Sequence, residues 1–482
     1  MQVLWFKRDL RLTDHMPLFE ALRHRKTGGL TMPVYIHEPS LIADPFFARQ
    51  HQCFIQECLT ELDTELERLG GLLYQLVGEA VQVFDALHQQ HGLTAIWAHR
   101  ETTQRSHYMR DRAVRQWARQ NGVAFHEMPQ NNVIRGSEPE HLKQSFQAYF
   151  DAAVQQPIKN PTGKNLAAYF YKEDHVRLNA AQIPKAQGDD KPLRPKGGRS
   201  RAKQLAARFF TEQRIKAYPF SISSPNTAWA GCSRLSPYLA YGVVSDREVM
   251  QRLNDLVSRA HQHSSAAHIE KVESAARFFL DRLQWRQGYL QQFEHCPELE
   301  DTELIPAFKG VRQAQFNAVF FETWKRGQTG VPFIDAIQRC LDACGWVNMR
   351  ARAMLVSYAC MQLWLPWEDV MKHLAHQFVD FDMAIHAGQH RIASGTSHFQ
   401  QLLIYNPLKN ALKLDPKGEF VAKWVPEVAH LPVEKMHCPW TLTAQEQSES
   451  GFVVGETYPL PLVDNDESLA HAKARVHALR SA

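Results

Sequence analysis

The 482-residue chain is poor in several things, and each scarcity narrows what it can be. Its eight cysteines, at 53, 58, 232, 296, 340, 344, 360 and 438, form no C-x-x-C pair and no regular framework. They read as reduced thiols, mostly small buried hydrophobes. The 24 histidines are scattered and show no metal-ligand spacing. Charge of one sign is also scarce: 55 basic against 51 acidic residues leave only +4, so a nucleic-acid surface, if present, must be local. No apolar run is bilayer-sized, since even the uncharged stretch Ala353 to Trp367 is short and polar. The N-terminus turns charged at Lys7-Arg8-Asp9-Leu10-Arg11 and does not read as a signal peptide. A soluble, cytoplasmic chain is expected. There is no internal repeat, no low-complexity tail and no G-x-G-x-x-G.

What is present divides into two halves. Val3 to Phe6, Met32 to Ile36, Leu72 to Val77, Ala95 to Ala98 and Val123 to His126 read as buried strands. Amphipathic stretches such as Phe54 to Leu69 and Val81 to His91 lie between them, which predicts a doubly wound parallel sheet over residues 1–134. Any ligand of that sheet would sit at the carboxyl ends of its strands. Residues 135–215 read as a connector. Within it, Lys185 to Lys216 carries ten Lys/Arg against three acids, and a solvated face or a DNA-backbone contact would each account for the excess. From 216 to 482 helical periodicity dominates, in Ser245 to Ala260, Ala266 to Phe293, Ile334 to Ala343, Val347 to Leu363 and Trp367 to Gln377, which predicts a large all-helical domain.

Three constellations in that half could carry chemistry. Gly231-Cys232-Ser233-Arg234-Leu235-Ser236-Pro237 offers hydroxyls and backbone N–H groups ahead of a helix, suited to a pyrophosphate or simply to capping that helix. Arg350 and Arg352 open an otherwise uncharged segment and need partners if buried, for which Asp380 and Asp382 are available. Trp285, Trp324, Trp346, Trp364, Trp367 and Trp424 all fall here, as core residues or as single-electron relays.

Taken in order, these segments resemble the photolyase/cryptochrome superfamily nearly end to end. The resemblance starts at Leu4-Trp5-Phe6-Lys7-Arg8-Asp9-Leu10-Arg11-Leu12-Thr13-Asp14 and continues at Tyr218 and Cys232 to Gly242. It resumes at Gly330-Val331-Pro332-Phe333-Ile334-Asp335-Ala336 and at Gly345-Trp346 with Arg350 and Arg352, and closes at Asn406-Pro407 and Trp424-Val425-Pro426-Glu427. The resemblance implies a non-covalent FAD inside the helical domain. Its phosphates would lie on Tyr218, Cys232, Ser233, Arg234, Leu235 and Ser236, with Phe279 and Arg286 lining the cofactor. It further implies that Arg352 pairs with Asp380, that Asp382 addresses the polar edge of the isoalloxazine, and that His386 falls near flavin N5 and tunes it. For the sheet domain the resemblance leaves open a second, light-harvesting chromophore, folate or deazaflavin, or none; Glu101 and Arg105 lie in the segment where some relatives bind folate.

The departures from the family pattern are as informative. Arg282 stands where cyclobutane-dimer photolyases usually carry a Glu, three residues before Trp285. Its acidic neighbour Asp281 points about 100° away on a helix. Met349 replaces a common Asn, Cys232 a common Thr, and His390 the proximal electron-transfer tryptophan. Trp367 matches the middle tryptophan, Ala314 stands near the place of the distal one, and Trp364 is a second candidate relay. The paired histidines of (6-4) photolyases and the four cysteines of iron–sulfur photolyases are absent. The implied function is blue-light-driven repair of pyrimidine dimers in DNA by a monomeric lyase, with Arg282, Trp285 and Arg350 on the DNA and Trp285, Arg282, Met349 and His386 at the catalytic site. The alternative is a cryptochrome-type photoreceptor without repair.

Overall fold

Short runs rich in apolar and aromatic residues at Gln2–Phe6 (β1), Thr31–His37 (β2), Tyr74–Val77 (β3), Ala95–His99 (β4) and Ala124–Met128 (β5) form one sheet in the computed structural model. All neighbouring pairs are parallel, in the order β3-β2-β1-β4-β5. The structure describes residues 1–24, 29–136, 142–155, 166–172, 182–263, 265–398 and 402–481. Helices Met16–Arg23 (α1), Arg49–Arg68 (α2), Ala80–His91 (α3) and Arg105–Gln120 (α4) connect successive strands, the arrangement that lets a parallel sheet be covered on both faces. Alternation does the sorting. Val3 and Trp5 pack with Phe84, Leu87, Val114 and Trp117 of α3 and α4, while Leu4 and Phe6 pack with Phe54, Leu59 and Leu62 of α2.

The strand order reverses between β1 and β4, so the crevice of the sheet opens at Lys7–Asp9 and Arg100–Glu101. Asp9, His15 and His99 meet there, all buried. The Asp9 carboxylate binds His15 Nε2 at 2.9 Å and His99 Nδ1 at 2.8 Å and accepts the Lys7 amide at 2.7 Å. Burial alone would raise Asp9, but the two imidazoles hold it well below the usual carboxylate range.

The basic segment differs from its expected form as a loop-rich connector. Arg199–Phe209 (α5) and Glu212–Ser221 (α6) are helices within it. Three of its cations are interior: Lys191 binds Asp342 at 3.1 Å, Arg194 binds Glu57 at 2.9 Å, and Arg199 pairs with Glu248. These charges tie the halves together and are not free for a DNA backbone. Lys196, Arg201 and Lys203 remain on the surface side.

The helical half is built round Ala266–His295 (α7), Pro332–Cys344 (α8), Met349–Ser357 (α9), Trp367–Gln377 (α10) and Met383–Ser394 (α11). The single helix expected from Val347 to Leu363 is instead interrupted. After α9 the backbone widens into a π-helical turn over Tyr358–Gln362, and Trp364 then takes a left-handed φ of 54°. The two halves meet closely at Gly242, whose φ is 60°; a Cβ there would lie 2.2 Å from the Arg8 carbonyl oxygen. Among the described residues no helix is long and apolar enough to cross a membrane.

Candidate functional site

Helix α7 carries two stripes of different character. Val272, Ala276, Phe279, Leu283 and Leu290 are buried in the core. Phe278, Arg282, Trp285, Tyr289 and Gln292, spaced four and three apart, share another face and line a cavity of about 960 Å³. Its other walls are Met349 and Arg350 of α9, Gln389 and Ile392 of α11, and Tyr405. Gly388 of α11 sits where a Cβ would come within 2.5 Å of the Tyr289 ring, so glycine lets the two helices close together beside the cavity. The described lining holds two arginines, several glutamines and no carboxylate.

A polar corner lies beside that cavity. Arg352 makes a bidentate pair with Asp380, donating from Nη1 at 2.9 Å and Nη2 at 2.8 Å, and its Nε donates to the Val347 carbonyl at 2.9 Å. With its guanidinium stacked 4.2 Å from the Phe378 ring, it has one pose. Arg286 reaches Leu239 O at 3.1 Å and lies 3.7 Å from Asp382. Arg8 braces the same corner from the sheet half, donating to Ala240 O at 2.9 Å and to Phe381 O at 2.8 Å. That role explains the Lys7-Arg8-Asp9 motif physically, and sequence reasoning did not assign it.

Three buried atoms of this corner, which border one small cavity, make no hydrogen bond: Arg286 Nη1, Asp382 Oδ1 and Asp246 Oδ1. Buried polar atoms are ordinarily satisfied, and a set of orphaned donors and acceptors around one cavity fits a polar ligand. Donors and acceptors of both kinds suit the polar edge of an isoalloxazine and the charge of a diphosphate.

The segment expected to hold phosphates is arranged less simply. Tyr218 packs its ring against Phe209, Phe278 and Phe279, and burial raises its hydroxyl above the ordinary value. Cys232 is pushed up to about 12 by burial, so it is a neutral thiol. Arg234 takes a left-handed φ of 53° and stacks 4.6 Å from the Trp229 ring. Ser233 Oγ accepts the Leu235 amide at 3.4 Å, and Ser236 Oγ accepts Trp346 Nε1 at 3.2 Å. The helix following Leu235 spans only Ser236–Ala240, so its dipole is small, and an anion held here would depend on Arg234 and loop amides.

On the far side of the corner, His386 is locked in one tautomer. Its Nε2–H donates to the Met371 carbonyl at 2.9 Å, which leaves Nδ1 as an acceptor. Burial lowers its pKa to about 4, opposed by that hydrogen bond and reinforced by Arg352, so it is neutral at pH 7. His390 lies one turn on, its ring 5.7 Å from that of His386 and 6.4 Å from that of Trp367. Burial, then the fields of His386 and Arg391, take it well below the usual imidazole value. Trp367 is 2% exposed and donates from Nε1 to Glu303 at 2.8 Å, with the Arg391 guanidinium 3.2 Å from its ring centroid. Trp364 stands between Arg312 at 4.7 Å and Arg475 at 5.0 Å.

Arg282 and Trp285 are brought together on the cavity wall, the guanidinium 3.6 Å from the indole centroid and 4.6 Å from the Phe278 ring. Trp285 is 55% exposed, so this stack faces the opening. Arg350 lies 5.5 Å from the Tyr405 ring across the cavity, and Met349 is exposed beside it. Glu101 does not line this cavity. It sits at the carboxyl ends of the strands, 3.6 Å from Lys7 Nζ and in contact with Arg110, and borders a space of about 80 Å³, enough for a few waters. Arg105 turns its guanidinium outward to Asp301, while its backbone N–H donates to Glu300. Sequence reasoning missed Glu303, Arg391 and Arg312 as well as Arg8. The first three carry no motif and meet only through the fold.

Two family models match the chain: "DNA photolyase" over residues 2–160 and "FAD binding domain of DNA photolyase" over residues 279–478. A deoxyribodipyrimidine photo-lyase of Alkalihalophilus pseudofirmus is 25% identical over 99% of this chain and 97% of its own length. Cryptochrome-1 of Aedes aegypti is 26% identical over 96% of this chain and 90% of its own. The crystal structure of a bacterial class III photolyase from Agrobacterium tumefaciens superposes with a TM-score of 0.79 at 24% identity, covering 100% of this chain and 98% of that one.

Proposed function

The chain belongs to the photolyase/cryptochrome superfamily, and on that premise we propose that it is a FAD-dependent, blue-light-driven DNA photolyase-like enzyme. It would split UV-induced pyrimidine dimers by electron transfer from reduced flavin. FAD supplies the light absorption and the single electron, and the protein supplies position and electrostatics. Arg352, Asp380, Arg286 and Asp382 would hold the isoalloxazine edge, and Tyr218, Phe279 and Cys232 to Ser236 the rest of the cofactor. A neutral His386 with Nδ1 as acceptor suits a protonated ring nitrogen and not a bare one, which favours the reduced cofactor that repair needs.

The observation that carries the repair reading is the cavity beside this corner. An aromatic floor of Trp285, Tyr289 and Phe278 can stack on bases, Arg282 and Arg350 can meet phosphates, and the described lining has no carboxylate to repel them. We assign Met349 to the wall between flavin and lesion. The substrate is DNA, and the protein is read as a cytoplasmic monomer. One second reading has its own support: Arg282 lies flat on Trp285, where a flipped base would stack, and must swing aside to admit a dimer. A cryptochrome-type photoreceptor without repair would leave that stack closed. A light-harvesting folate or deazaflavin near Glu101 would need that small space to enlarge.

The test is direct. Purified protein with chemically reduced FAD is illuminated with blue light in the presence of dimer-containing single- and double-stranded DNA. Light-dependent loss of dimers supports repair, and none in either substrate sinks it in favour of the photoreceptor.

A further inference from the structure

Trp367 is held more elaborately than packing requires. It is 2% exposed, its indole N–H donates to Glu303 Oε2 at 2.8 Å, and the Arg391 guanidinium lies 3.2 Å from its ring centroid. Arg391 is itself fully buried, fixed by Leu299 O and Thr302 O and 3.6 Å from the other Glu303 oxygen. Cation, indole and carboxylate therefore form a closed set with no room for bulk water.

We infer that Glu303 is the internal base for Trp367, taking its indole proton as Trp367 loses an electron. The inference rests on the flavin reading above. The electron goes to the light-excited, oxidised flavin. The Trp367 Nε1–H bond breaks and a Glu303 Oε2–H bond forms, leaving a neutral indolyl radical, a neutral carboxylic acid and an unchanged Arg391.

The physical case has three parts. A guanidinium in van der Waals contact with the ring face repels a positive charge on that ring, in a site where low dielectric strengthens the effect. Oxidation that keeps the proton would place two like charges together, and oxidation that releases it would not. The proton also has a single destination, because burial removes water and the hydrogen bond to Glu303 already exists. Finally, Trp364 shows the contrast. Arg312 and Arg475 flank it at 4.7 and 5.0 Å, yet its Nε1 has no hydrogen-bond partner and thus no base. Of the two candidate relays, the one with a base also touches the path to the corner, through His390 at 6.4 Å and then His386 at 5.7 Å from His390. His390 fills this gap as a neutral bridge.

The experiment is pulsed blue-light transient absorption on the full chain carrying oxidised FAD, which separates the protonated indole cation radical from the deprotonated neutral one. Wild type is expected to give the neutral radical, with slower appearance in D2O. E303Q keeps an acceptor but no base, and should delay the neutral radical by about 100-fold, the low end for loss of a general base. If E303Q does not fold, light-minus-dark infrared on wild type reads the same event as a new protonated-carboxyl C=O band. A long-lived cation radical in wild type, an unchanged E303Q, or no carboxyl band would overturn the assignment. So would W367F that forms the same tryptophan radical. Failure of the protein to bind FAD at all is the separate outcome that removes the flavin reading itself.

Discussion

Two arginine–tryptophan stacks stand on either side of the candidate flavin corner, and they are built to opposite specifications. Arg282 lies 3.6 Å from Trp285 on the cavity wall, where Trp285 is 55% exposed. Arg391 lies 3.2 Å from Trp367 in the interior, where Trp367 is 2% exposed and its N–H is tied to Glu303. The same chemical pair thus serves as an openable surface in one place and a fixed electrostatic environment in the other. An exposed stack is weakened by water and salt and can exchange its cation for a base. A buried one cannot, because Arg391 has the Leu299 and Thr302 carbonyls and Glu303 to lose.

The comparison can be broken most severely by truncating the cations in turn. Arg391→Ala should destabilise the protein by about 3–5 kcal/mol, the range for removing one partner of a buried charged set. Arg282→Ala should cost no more than about 1 kcal/mol, the range for an exposed cation–π contact. Chemical denaturation of both variants checks this; equal losses would erase the distinction. Next in size, Asp380→Asn should abolish stable FAD retention or weaken it strongly, since the Arg352 fork would lose its charged partner. Flavin content after gel filtration reads it. Arg282→Ala should also weaken single-stranded DNA binding and lower the salt slope by about one, as loss of one phosphate contact requires. An unchanged slope places Arg282 off the DNA.

The last expected effect is on pH dependence. His386 is depressed to about 4 in the fold, so between its ordinary value and about 4 the unfolded chain binds more protons. Stability is therefore full above pH 6.5 and falls as pH drops through this window, by at most about 1.4 kcal/mol per pH unit for one group. His386→Asn should remove one group's share of that acid limb in denaturation profiles from pH 7 to 4, since His51, His99, His373 and His390 are lowered by burial as well.

Much of the architecture was legible in the sequence for a plain reason. Val3 to Phe6 and Ala95 to Ala98 are strands buried on both faces, and such strands read as unbroken apolar runs. Arg282 and Trp285 were legible as neighbours because one long helix sets its own spacing, while Phe278 and Tyr289 join their face only in the structure. Helix α5 was hidden because its buried stripe, Arg199, Ala202, Ala206 and Phe209, is made mostly of small or charged residues. The break after α9 was hidden because Tyr358–Gln362 are all buried, so no exposed residue marks the π turn. Glu303 was hidden for a third reason. It comes from an irregular loop and meets Trp367 and Arg391 only through tertiary packing, which no local pattern reports.

The most direct measurement is light-driven dimer loss in protein whose FAD has been chemically reduced beforehand, compared among wild type, W285A and W367F. The account predicts repair by wild type and W367F at similar rates and its loss in W285A, because reduction by chemistry bypasses the interior stack but not the cavity wall. No dimer loss in wild type, or a W367F variant that fails while W285A succeeds, would contradict it.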